Sequence, residues 1–336
     1  MHGMVNTTWD ILKSLQEKNR VKSITLNYKR PSFLFSGHLE TIYPALFRNV
    51  DLNYQRERIA TPDDDFLDLD WLRQGSKKLI IISHGLEGNS SRAYMKGMAK
   101  AFFGKGFDVI AWNFRGCSDE MNKQLRFYHS GATEDLESVV LHAQRNGYTE
   151  ISLIGFSLGG NLTLKYLGER IPHSEIKRAV VFSTPLDLYT SCLKISKPGN
   201  MVYSGRFLKS LKNKVIQKSK VIAGLDLKGI EKIDTLMSFD DRYTAPLHGF
   251  HNAMDYYNKC SSIHFIESIS IPTLIVNAQN DPFLSELCYP ISTLRNHTYV
   301  KIENPQHGGH VGFAQFNKNG LYWSEERALS FLTTDI

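Results

Sequence analysis

The sequence predicts an α/β fold: a mostly parallel central sheet with helices on both faces and a helical cap inserted late in the chain. Two observations carry this. From about residue 77 onward, short β-branched runs alternate with longer helical patterns, and the runs are apolar throughout instead of alternating with polar residues. Strands buried on both faces have that continuous character, and strands separated by helices pair in parallel. The 336 residues, 42% hydrophobic and 22% charged, supply enough apolar material for one large core.

The elements follow in order. Residues 1–50 read as a helical and extended segment packing on the core, opened by a short amphipathic helix around Trp9, Ile11, Leu12 and Leu15. Asp10 and Glu17 interrupt its apolar run, so it does not read as a signal peptide. Between Leu52 and Leu72, YQRERIA and FLDLDWL flank the turn-rich TPDDD, the pattern of an antiparallel hairpin. Strands are then expected in KKLIIISHG (77–85), DVIAWNFRG (108–116), EISLIGFS (150–157), RAVVFSTP (178–185), PTLIVNAQND (272–281) and HTYVKIENP (297–305). Helices are expected at Tyr94 to Lys105 and Thr133 to Asn146. The stretch from Leu186 to about Ile269 is too long for one crossover and has helical patterns of its own. The expected organisation is therefore a core of residues 51–186 and 270–336, with 187–269 as the cap.

Composition excludes several classes. A formal charge of +6 is mild for this length, and no Arg/Lys array interleaved with aromatics tracks a nucleic acid. Cys117, Cys192, Cys260 and Cys288 lie far apart without a C-x-x-C, which argues against a zinc site or a disulfide framework and for a reducing, cytoplasmic compartment. No apolar run approaches the roughly 20 residues that span a bilayer. A soluble monomer or weak dimer is expected, without cofactor or metal and with peripheral membrane contact left open.

The chemistry-bearing signal is Gly155-Phe156-Ser157-Leu158-Gly159, a G-x-S-x-G between an apolar strand and the helical stretch NLTLKYLGER. The glycines allow a tight strand-to-helix turn that exposes the Ser157 hydroxyl at the carboxyl edge of the sheet, and the helix behind it favours developing negative charge. A serine hydroxyl needs a base, and the base an orienting partner. Asp281, at the end of PTLIVNAQN, projects where the catalytic groups of open α/β sheets sit. His310 lies in Gly308-Gly309-His310-Val311-Gly312-Phe313 after the last strand, and the order Ser, Asp, His suits such a triad. On the residues alone His307 competes with His310, and Asp240 and Asp241 are alternative acids. The oxyanion donors expected are the N–H of Leu158 and, from His84-Gly85-Leu86-Glu87-Gly88, the N–H of Leu86, with Glu87 as the alternative. His84 reads as a brace for this loop, and Arg115 and Asp135 as structural.

Nine segments, PSFLFSGHLETIYPALFR, HGLEGNSSRAY, NFRGCS, YHSGATEDL, GFSLGGN, FDDRYTAPLHGF, DYYNKCSS, PTLIVNAQNDPF and HGGHVGF, together resemble the YheT-type branch of the α/β hydrolases over Pro31 to Phe316. The members of that branch are esterases predicted from sequence, related to mammalian membrane-linked lipase-like hydrolases. The resemblance implies the α/β-hydrolase fold, a catalytic serine at Ser157, an aspartate at Asp281 and a histidine at His310, the family pattern placing the base after two glycines. The resemblance bears more on mechanism than on substrate; the activity expected from the residues and the resemblance together is cleavage of short- to medium-chain acyl esters or lipids through an acyl-enzyme. An acyltransferase using the same serine and an inactive binding protein are the alternatives.

Within the cap, Arg206, Lys209, Lys212, Lys214, Lys218 and Lys220 accompany Phe207, Leu208, Leu211, Val215 and Ile216 at helical spacing. Of two readings, a basic helix meeting an anionic membrane or lipid and a cap helix with an apolar stripe and a solvated charged face, the second is preferred. Tyr243, His248, His251, Tyr256 and Tyr257 are candidates to line an acyl pocket or to be core.

Overall fold

The computed structural model describes residues 27–333; the helix expected around Trp9 lies outside them. The strands β1 (Gln55–Ala60), β2 (Phe66–Leu72), β3 (Lys78–Ser83), β4 (Asp108–Asn113), β5 (Glu150–Phe156), β6 (Ile176–Phe182), β7 (Thr273–Val276) and β8 (Val300–Glu303) form one sheet in the order β1-β2-β4-β3-β5-β6-β7-β8. β1 and β2 make the expected hairpin, β2 runs antiparallel to β4, and the remaining pairs are parallel.

The continuous apolar runs resolve into two faces because successive side chains of a strand point opposite ways. Leu79, Ile81, Trp112 and Leu153 join one core cluster, while Ile80, Ile82, Ala111 and Ile154 join the other. Helices α1 (Gly37–Phe47), α2 (Ala93–Phe103), α3 (Thr133–Arg145), α4 (Leu158–Glu169), α5 (Leu188–Ile195), α6 (Met201–Ser219), α7 (Ala253–Cys260) and α8 (Trp323–Thr333) are those of eight or more residues among the described ones. Leu136, Val139 and Val140 of α3 and Leu162 of α4 cover the first face; Met95, Met98 and Phe102 of α2 and Leu329 and Phe331 of α8 cover the second.

The hairpin carries charge into the sheet in paired form: Arg56 and Arg58 of β1 each grip, through two nitrogens, Asp70 and Asp68 of β2. Arg115 and Asp135 are structural, as expected. Arg115 is buried and bridges Asp135 at 2.6 Å, Asp65 at 2.8 Å and Asp63 at 3.0 Å.

Between β6 and β7 the chain runs through α5, α6, short helical turns and α7. In α6 the solvated charged face expected of the six basic residues is only partly present. Lys218 is fully buried, donating to Asn122 Oδ1 at 2.7 Å and to the Arg126 carbonyl at 2.8 Å. Lys214 meets Glu87 at 2.6 Å with little exposure. The physical reason is that long basic side chains turn inward where loops offer acceptors, which periodicity along one helix does not reveal.

Candidate active site

Ser157 stands between β5 and α4 at φ 53° and ψ −119°, a conformation a side chain adopts only when its surroundings impose it. What imposes it is the close approach of the turn to the loop after β3: a Cβ at Gly159 would fall on the backbone carbonyls of Ser83 and His84. Glycine at that point lets the start of α4 lie against the β3 loop, which brings Ser157 beside Gly85.

Asp281 follows β7 and is buried; its Oδ1 accepts the N–H of Phe283 at 2.9 Å. His310 lies after β8. Its Nδ1 is 2.9 Å from Asp281 Oδ2 and 3.1 Å from Oδ1, and its Nε2 is 2.9 Å from Ser157 Oγ. Three residues separated by 124 and 29 positions in the chain thus meet at one sheet edge, with the imidazole between the hydroxyl and the carboxylate. The Phe283 ring packs on the imidazole at 4.2 Å between centroids. None of the competing candidates is hydrogen-bonded to Ser157 or His310. His307 Nδ1 is 3.9 Å from Glu40 Oε1, Asp240 accepts from Tyr257 at 2.6 Å and Thr244 at 2.5 Å, and Asp241 accepts the N–H of Ala253 at 2.7 Å.

Two residues that line the same cavity as Ser157 and His310 have backbone N–H groups without an acceptor among the described residues. Leu158 is the first residue of α4, where a helix has no internal partner for the N–H. In the β3 loop the neighbours of Leu86 are occupied: Gly85 N–H donates to Tyr94 Oη at 3.0 Å, Glu87 N–H to Tyr128 Oη at 2.9 Å and Gly88 N–H to the Gly85 carbonyl at 3.0 Å. Leu86 N–H has no acceptor among the described residues. His84 is the brace it was expected to be. It is fully buried, Nδ1 meets the Gly85 carbonyl at 2.7 Å, Nε2 accepts the Phe114 N–H at 3.1 Å, and burial pushes its pKa down to about 3, so the ring is neutral.

Ser157, Leu158, Leu86 and His310 open onto a cavity of about 890 Å3, counting the part open to solvent. Most of its wall is apolar, from Leu188, Ile195, Phe207, Leu211, Leu236 and Phe283. Tyr256 and Tyr257 line it, as one expectation had it. Tyr243 and His248 instead border a smaller cavity beside Phe127, and His251 is exposed. A polar corner of the main cavity is formed by Asp240 and Thr244, brought together by a π-helical turn at Asp240–Thr244. Burial, with the Asp241 charge adding to it, outweighs the hydrogen bonds and raises the Asp240 carboxyl to about 6. No group of three or more His, Cys, Asp or Glu among the described residues is arranged to hold a metal ion.

Residues to which motif reading gave no part in the site surround this constellation. Thr41 of α1 accepts the N–H of His310 at 2.9 Å, Asn280 accepts the N–H of Gly309 at 3.1 Å, and Glu40 accepts from Gly308 and Asn280. Lys214 and Tyr128 both bind Glu87 in the β3 loop. The available signals were segments of the family resemblance: PSFLFSGHLETIYPALFR holds Glu40 and Thr41, PTLIVNAQNDPF holds Asn280 and YHSGATEDL holds Tyr128.

Comparison with known proteins bears on the fold and the family. A family profile for the alpha/beta hydrolase fold matches residues 78–315. The chain is 33% identical over 307 residues to YheT, a candidate esterase of Escherichia coli K12, covering 88% of this chain and 90% of that protein. It is 29% identical over 305 residues to the monoacylglycerol lipase of Saccharomyces cerevisiae, covering 88% of this chain and 66% of the relative. Among solved structures, the Pyrococcus furiosus esterase Pf2001 superposes with a TM-score of 0.56 at 19% identity, over 83% of this chain and 92% of that one, a likeness of fold alone. The chain belongs to the α/β-hydrolase family, in its branch of YheT-like esterases.

Proposed function

We propose that the protein hydrolyses carboxylic esters through Ser157, His310 and Asp281 by way of an acyl-enzyme. The observation that carries this is the imidazole of His310, 2.9 Å from both the Ser157 hydroxyl and the Asp281 carboxylate. In the first step His310 Nε2 takes the hydroxyl proton as Ser157 Oγ bonds to the ester carbonyl carbon. The N–H groups of Leu158 and Leu86 receive the oxyanion, and Leu86 is preferred to Glu87 because the Glu87 N–H is committed to Tyr128. The imidazolium, stabilised by Asp281, gives its proton to the departing alcohol. Water, deprotonated by the same imidazole, then releases the acid and restores Ser157. No step calls for a cofactor.

The apolar wall of the cavity suits an acyl chain, and residues 187–269 act as the cap that shapes it. The relative named as a monoacylglycerol lipase supports lipid esters as the substrate class. A cytoplasmic site of action suits four cysteines that are buried and not joined to one another.

The test is hydrolysis of p-nitrophenyl esters from acetate to palmitate by the native protein and by Ser157→Ala. The expected outcome is activity in the native protein and a loss of about 10^5-fold in the variant. Equal activity in both would overturn the reading. Product appearing only with an added alcohol would identify an acyltransferase instead.

A further inference from the structure

We propose that Glu40 and Thr41 of α1 are positioning residues for the base, holding the otherwise unstructured His310 loop by its backbone N–H groups. The inference rests on His310 being the base.

Residues 304–322 contain neither strand nor helix. Inside this stretch Val311 and Phe313 sit at φ 58° and 43°, so the backbone around His310 is held in a form it would not keep by itself. Four consecutive N–H groups, those of residues 308–311, each end on a side-chain oxygen. Gly308 donates to Glu40, Gly309 to Asn280 at 3.1 Å, His310 to Thr41 at 2.9 Å and Val311 to Ser183 at 2.8 Å. Two of the four acceptors are on α1, and a third, Asn280, donates its amide to the same Glu40 oxygen at 2.9 Å.

The acceptors are themselves fixed. Glu40 is fully buried. Thr41 donates its hydroxyl proton to the Gly37 carbonyl at 2.6 Å, which turns an oxygen lone pair toward His310. The two segments touch backbone to backbone: a Cβ at Gly309 would lie 2.8 Å from both the Gly37 carbonyl oxygen and the Thr41 nitrogen. A shift of α1 is therefore transmitted to the residue next to the base. Because α1 precedes residue 78, where the family profile begins to match, this support comes from outside the matched core. It reaches the base and not the serine: Ser157 is held by β5, α4 and the β3 loop. Loosening the clamp should slow attack by Ser157 while leaving the apolar cavity, and so substrate binding, intact.

The experiment compares the native protein with Thr41→Val, which keeps the shape and removes the acceptor, and Thr41→Ser, which keeps the acceptor. It reads kcat and KM for a p-nitrophenyl ester, the rate at which a fluorophosphonate labels Ser157, and Tm. Thr41→Val is expected to lower kcat and the labelling rate together by about 10- to 100-fold with KM within about twofold. Thr41→Ser is expected to recover both to within about threefold of the native rates. The inference falls if folded Thr41→Val labels at the native rate, or if Val and Ser variants lose activity alike. Should Thr41→Val not fold, Asn280→Ala removes the Gly309 acceptor from the opposite side and must show the same fall in kcat at constant KM; labelling at the native rate overturns the proposal. A native protein that neither hydrolyses ester nor labels at Ser157 would instead defeat the triad reading, and the clamp with it.

Discussion

On the sheet side of the site the candidate catalytic groups sit on strained backbone, whereas the helical side is made of side chains on relaxed backbone. Six non-glycine residues among the described ones have positive φ, and five of them, Glu87, Ser157, Ser183, Val311 and Phe313, lie in loops at the carboxyl edge of the sheet. None falls between residues 187 and 269. There the departure from the ordinary is electrostatic. Burial pushes Lys218 down to about 7 and Asp240 up to about 6. Across the boundary, in the β3 loop, burial also pushes the Glu87 carboxyl upward, but the charge of Lys214 from α6 and the hydrogen bonds the carboxylate receives outweigh this and leave it below its usual range. The difference teaches a division of labour. Bond-making atoms need fixed positions, which strained backbone provides, while a pocket wall needs only to be attached and shaped, which buried ion pairs and apolar contact provide.

If that division is right, a change on the sheet side costs rate and one on the helical side costs stability. The largest effect is expected for Asp281→Asn. The amide keeps the shape and the Phe283 contact but no longer stabilises the imidazolium, so kcat should fall by about 10^4-fold. Thermal unfolding should barely move; a drop in Tm that accounts for the lost activity would break the comparison. Next comes Lys214→Met, which leaves the Glu87 carboxylate buried without its cation. Urea unfolding should report a loss of about 3–5 kcal/mol, with kcat per folded molecule falling less than for Asp281→Asn. A variant as stable as the native protein would show that the pair does not attach α6 to the β3 loop.

The smallest effect sharpens the electrostatic half. The carboxyl of Asp240 is raised from 3.8 to about 6, so between those values the folded protein keeps a proton that the unfolded chain has released. Its contribution is fully present below that window and is lost as pH rises through it. Asp240→Asn stays neutral throughout, so the Tm difference, variant minus native, should grow from near zero at about pH 4 to a few degrees at about pH 7. A difference that does not change with pH would mean that Asp240 ionises in the fold as it does in the unfolded chain.

How much was legible in the sequence follows from how local each signal is. The six strands from Lys77 onward declared themselves as apolar runs, and the hairpin by its turn residues, because both patterns depend on neighbours in the chain. Ser157 was readable from the motif around it. Preferring His310 to His307 needed the family pattern; the structure places His310, and not His307, within hydrogen-bond distance of Ser157, with Thr41 accepting the His310 N–H.

By itself, then, the sequence determined the α/β architecture, the serine turn and the candidate acid and base, since periodicity, glycine placement and motif spacing act within one element or one turn. Only the tertiary structure decided that Lys214 and Lys218 point inward, that Asp240 and Tyr257 line the cavity while His251 does not, and that Thr41 of α1 accepts the N–H of His310 from 269 residues away. These depend on which distant segment supplies the acceptor or covers the face. That information lies in the packing of the elements together, where the desolvation of a charge or the occupancy of an N–H is settled by a partner that the local sequence does not name.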